Sequence, residues 1–150
     1  MKVNLQTWLA NGWLRPHQTS AAEIRDLWLI AGRDLKDAES GGISPDWQYG
    51  IAYNAALKLC TILLYAEGYR PEKQLAHYRT LQALPVILGA QRQDDGDFLE
   101  RCRRKRNTVE YDHAGGASKE EAEELIRFSH ELRDEVLAWL KAKHPSLVPK

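Results

Sequence analysis

Apolar residues recur along most of this chain at helical spacing. Ile24, Leu27, Trp28, Ala31, Leu35 and Ala38 follow the i, i+3, i+4, i+7 rule and predict a helix. Thr19 or Ser20 caps its start, Glu23 stands at capping-box distance from Ser20, and Gly41-Gly42 ends it. The next segment, 46–67, is apolar nearly all round, and only Asn54, Lys58 and Thr61 form a narrow polar stripe. Ser44-Pro45 supplies its start and Gly68 its stop. Such a helix is central in its bundle or is buried on a second side by a partner chain. Ala52, Ala55 and Ala56 let a neighbour approach closely. Pro71 reads as the start of a further helix that carries Leu75, Tyr78, Leu81, Leu84 and Leu88, with Pro85 kinking or shortening it. Residues 89–96 read as a polar connection, and an Arg-rich helix runs from there to about 113. Ser118 and Glu121 form a capping box for a last long helix, whose stripe is Ala122, Leu125, Ile126, Leu132, Val136, Trp139 and Leu140. At the other end, Leu5, Trp8, Leu9, Trp13 and Leu14 predict one or two helical turns broken at Asn11-Gly12. No segment alternates convincingly with period two, and there is no internal repeat. The pattern predicts an all-α fold: an antiparallel four-helix bundle with one or two short extra helices. Residues 1–18 would pack on the bundle, 19–143 would form it, and 144–150 would be a frayed tail.

Composition narrows the picture. The 150 residues suffice for one domain with a real core. Lys+Arg and Asp+Glu both number 21, so the net charge is zero, and any nucleic-acid surface has to be a local patch. The strong candidate is 101–106, where Arg101, Arg103, Arg104, Lys105 and Arg106 crowd together. Acid gathers in 94–100 and 120–124. Cys60 and Cys102 sit in helical patterns and read as reduced core thiols, and no Cys/His spacing resembles a zinc site. No metal or cofactor is expected. There is no signal-like start and no run of ~18 apolar residues, so a cytoplasmic protein without a membrane span is expected.

At about 100° per residue, the Arg-rich helix shows an order that the basic run hides. Phe98, Leu99, Cys102 and Val109 share one side, which should face the core. Arg106 and His113 point to that same side, roughly 10 Å apart along the axis. Arg101, Arg104, Asn107, Thr108 and Tyr111 turn away. Each part has a bland reading. A basic run is often a solvated face, an Arg on an apolar face often snorkels, and a His near a helix end suits the dipole. The combination of Arg, Asn and a later His points instead to a polar cleft or interface.

These residues resemble the HEPN superfamily of small helical bundles from defence and toxin–antitoxin systems. The resemblance rests on RNTVEYDH, an Arg106 followed by Asn107 and then by His113, and on the small-residue helix AYNAALKLCTILLYAEGYRP with His77 and Tyr78 shortly after. It covers roughly residues 20–143. The resemblance implies a homodimer whose paired motifs face each other across a cleft. It also implies metal-independent RNA cleavage, with Arg106 on the phosphate, His113 as acid–base and Asn107 orienting the pair. Many members carry His where this chain has Tyr111. Arg101, Arg103, Arg104 and Tyr111 would bind RNA or nucleotide around that centre. Three readings follow. The chain is a ribonuclease; or it is a non-catalytic dimer that binds nucleotide, RNA or a nucleotidyltransferase or antitoxin partner; or it is an interaction protein whose Arg cluster only salt-bridges the acidic runs.

Overall fold

The computed structural model describes residues 4–108 and 116–149. The described chain is mostly helical. Its elements run α1 (Leu5–Ala10), β1 (Leu14–Pro16), α2 (Ala21–Ala38), α3 (Pro45–Ala66), β2 (Tyr69–Pro71), α4 (Ala76–Leu88), α5 (Gln93–Asn107) and α6 (Lys119–Lys143). The three longest helices start where their caps place them. Ser20 Oγ accepts from Glu23 N at 3.1 Å, Ser44 Oγ from Trp47 N at 3.2 Å and Ser118 Oγ from Glu121 N at 3.0 Å. Only the last is a full capping box, because the Glu121 side chain returns to Ser118 N. The Glu23 carboxylate turns instead to His17 and Thr19, both at 2.7 Å.

α3 is the central element, and one chain suffices to cover it. It packs against α2, α4, α5 and α6. Ala52, Ala55 and Ala56 are fully buried, as are Leu59, Cys60, Ile62 and Leu63. Burying each Leu-sized side chain contributes about 1.5–3 kcal/mol, against about 1 kcal/mol for a typical cap. The caps therefore set the boundaries while α3 supplies the cohesion. α6 packs on it through Ala122, Leu125, Leu132, Val136 and Leu140, and Ser129 Oγ reaches the Ala52 carbonyl at 3.4 Å.

Four expectations are corrected. Pro71 does not start a helix. It ends β2, which pairs antiparallel with β1 in the register Leu14↔Pro71, Arg15↔Arg70, Pro16↔Tyr69. Each strand has three residues and a terminal proline, too short for any period-two signal to register. Second, α4 begins five residues later, after Leu75 takes a left-handed conformation at φ 58°, and it runs through Pro85 to Leu88 without stopping. Third, α5 begins within the expected connection, and Gly96 is one of its buried residues. Fourth, 144–149 is not a frayed tail. Pro145–Leu147 forms a short 3₁₀ turn, Leu147 and Val148 pack on the core, and His144 Nε2 meets Glu67 Oε2 at 3.1 Å.

Leu5, Trp8 and Leu14 form a second small core with Leu64 of α3 and Ala83 of α4. The backbone N–H of His17 donates to the Gly68 carbonyl at 2.8 Å, and the His17 ring lies 4.1 Å from that of Tyr65. Among the described residues, no helix is long and apolar enough to cross a membrane.

Candidate functional site

α5 carries the basic run, and helical geometry sorts its members. Leu99 and Cys102 are buried. Arg106 continues their stripe one turn on and is half-buried. It lines a cleft of about 300 Å³ together with Asp34, Gly50, Ile51 and Asn54. Its guanidinium carbon stands 5.5 Å from the centre of the Tyr53 ring. Three helices thus meet at the cleft: α2 brings Asp34, α3 brings Gly50, Ile51 and Asn54, and α5 brings Arg106.

The cleft wall is braced. Asp34 is a buried carboxylate whose Oδ2 accepts from Asn54 Nδ2 at 2.8 Å and whose Oδ1 accepts from Arg33 Nη2 at 3.3 Å. That bond fixes which way the Asn54 amide turns. Beside it, the Tyr53 hydroxyl is buried with no hydrogen-bond partner among the described residues. Burial pushes its pKa far above the usual phenol range, only partly offset by the nearby Arg106 and Arg103. Tyr53 therefore stays neutral and presents an aromatic face to the guanidinium.

Basic groups gather beside the cleft, although Asp34 lines it and Glu100 pairs Arg103. His77, at the exposed start of α4, has its pKa lowered by the protein around its ring and then by the charges of Arg106, Lys58 and Arg103. α3, α4 and α5 therefore each add a basic group to the same neighbourhood.

The remaining basic residues divide. Arg103 donates through Nε and Nη2 to both oxygens of Glu100, at 2.6 and 2.8 Å. Arg104 Nε shares Glu100 at 3.2 Å. These contacts, Arg103 above all, hold the Glu100 carboxyl below its usual range. Lys105 Nζ meets Glu121 Oε2 at 2.9 Å. Arg101 lies with its guanidinium carbon 5.9 Å from the Phe98 ring. Salt-bridging to the acidic runs thus accounts for Arg103, Arg104 and Lys105. Arg101 and Arg104 are exposed and Arg103 is half-buried, and none of the three lines the cleft. Asn107 closes α5. Tyr111 and His113 lie outside the described residues.

Cys60 and Cys102 are free and buried, as expected. Burial pushes the Cys60 thiol up to about 12. Burial also pushes Cys102 up to about 11, although the Tyr49 hydroxyl hydrogen-bonds to its sulfur.

Sequence reasoning missed Asp34, Gly50 and Ile51 and did not place Asn54, Lys58 and His77 at the site. A signal existed for three of them. Asp34 interrupts the apolar stripe of α2, and Asn54 and Lys58 interrupt a helix that is otherwise apolar. Compared with protein-family models, curated proteins and solved structures, the chain has no match.

Proposed function

We propose that this chain is a HEPN-type helical bundle, acting as a symmetric homodimer, that binds RNA by its backbone phosphates with the Arg106 guanidinium as the central contact. The observation that supports this most is the seat of Arg106. It is half-buried in a cleft between three helices, with Lys58, Arg103 and His77 adding positive field. A guanidinium fork matches a phosphate in shape and charge. Asp34 in the lining and Glu100 on Arg103 oppose such a ligand, and the more exposed pairs oppose it less. The Arg104–Glu100 and Lys105–Glu121 pairs are partly exposed, and pairs of that kind contribute about 0–1 kcal/mol. A phosphate chain can exchange with them.

Metal-independent cleavage is the second reading, favoured by the placement of Arg106 in a cleft. The RNA 2′-OH would attack the adjacent phosphorus, and the bond to the 5′ oxygen would break. A 2′,3′-cyclic phosphate and a 5′-OH would result. By resemblance, His113 takes or returns the proton and Asn107 orients the pair.

Fluorescence anisotropy with a single-stranded RNA over a salt series tests the binding. Arg106→Ala should weaken affinity and lower the slope of log affinity against log salt by about 1. An unchanged slope and affinity would remove the proposal. For cleavage, His113→Ala should cost about 10²–10⁴-fold in rate with binding retained, and EDTA should have no effect.

A further inference from the structure

Four of the five tryptophans in this chain are engaged. Trp8 and Trp13 meet edge to face at 6.2 Å. Arg79 lies 3.8 Å over Trp13, and Arg133 lies 4.0 Å over Trp28. Trp139 sits 5.0 Å from the His144 ring. Trp47 has no ring or cation partner among the described residues, and it is 62% exposed. Its place in the fold gives that exposure meaning. α3 is covered on nearly every side, and the positions it leaves open include Trp47, Ile51, Asn54 and Lys58. Their spacing of four, three and four residues makes one straight stripe about 16 Å long. Ile51 and Asn54 line the Arg106 cleft. Trp47 stands one turn before Ile51, and Lys58 stands one turn beyond Asn54, toward His77 and Arg103. The stripe therefore runs from an open indole, through the cleft, to a group of cations.

We infer that Trp47 is a base-stacking platform, and that the stripe from Trp47 to Lys58 is a binding track for single-stranded RNA. The inference rests on the RNA-binding reading above and adds the class of RNA. An indole face accepts any base, but only a base free of its own stack can reach it, as in a loop, an end or a single strand. The distance from Trp47 to Asn54, about 10 Å along the helix, separates a base at one end from a phosphate at Arg106. The chain has no net charge, so the local cations at the far end of the stripe set the polarity of the track. An A-form duplex keeps its bases stacked and offers the indole nothing.

The test compares a short single-stranded RNA with a duplex of the same sequence. The proteins are the full chain, Trp47→Ala, Trp47→Phe and Arg106→Ala, with thermal melts recorded for each. Trp47→Ala should weaken single-strand binding by about 5- to 150-fold, the range for losing one base–aromatic stack. Its salt slope should match that of the unaltered chain, because no phosphate contact is lost. Trp47→Phe should recover most of the affinity, and neither change should alter duplex binding. Single-strand affinity unchanged in Trp47→Ala, or an equal loss for strand and duplex, overturns the inference and leaves the RNA reading standing. A loss of self-association in Trp47→Ala with RNA affinity intact overturns it too, and assigns the indole to a second copy of the chain. Absence of RNA binding by the unaltered chain removes both.

Discussion

His77 gives the site its pH dependence. An unperturbed imidazole titrates near ~6.5, and in the folded chain partial burial and the charges of Arg106, Lys58 and Arg103 lower that value. The unfolded chain therefore takes up this proton more readily than the folded one. Stability associated with His77 is present above about pH 6.5 and is lost as pH falls toward the folded value. Bound phosphate reverses the balance, since a negative group beside the ring favours its protonated form. RNA affinity should rise as pH drops from about 7 to 5, and His77→Ala should flatten that rise. Binding isotherms across that range check the sign. A profile equally steep in the variant would remove His77 from the site. The role of His77 was not legible from the chain alone. The sequence marks His77 only through the family resemblance, and the charges that act on it come from α3 and α5, nearly 20 and 30 residues away in sequence. Arg106 was legible because a single helix carries both it and the apolar stripe it continues.

At the scale of elements, the junction of α4 and α5 decides how His77 and Arg106 stand to one another. These helices meet where Gly96 faces Pro85. A Cβ on Gly96 would lie 3.0 Å from Pro85 Cγ, and the Gly96 carbonyl accepts from Gln82 Nε2 at 3.2 Å. The proline ring is rigid, so the helices would have to separate. Gly96→Ala should cost about 1–3 kcal/mol by overpacking, outweighing the ~1 kcal/mol that alanine gains over glycine in a helix. Denaturant unfolding measures it, and a stabilised variant would show that the junction is slack. The same junction explains where element reading failed. Helices α2, α3 and α6 carry their own Ser caps and were placed from the chain alone. α4 has no side-chain cap and follows a left-handed Leu75, so nothing local marks its start and Pro71 is the nearest start signal. Gly96, which reads as part of a connection, is a packing residue.

For the whole molecule, the mostly helical fold was legible because period 3.6 dominates the chain. The two-stranded sheet was not, since its pairing joins residues 53 to 57 positions apart. The covered state of α3 bears on assembly. Most of the helix is covered by its own chain, so its apolar length alone does not argue for the proposed homodimer. Sedimentation at micromolar concentration should show twice the 17.2 kDa chain mass. A single 17.2 kDa species would leave the RNA track intact and remove the dimer. The sheet has one more consequence, for how the molecule is made. Leu14 emerges from the ribosome 57 residues ahead of its partner Pro71, and Ala83, which completes the small core over Trp8, comes later still. At synthesis rates of about 5–20 residues per second, the apolar face of α1 waits several seconds without its seat. That segment is thus made well before its seat, and for that interval it is open to a chaperone.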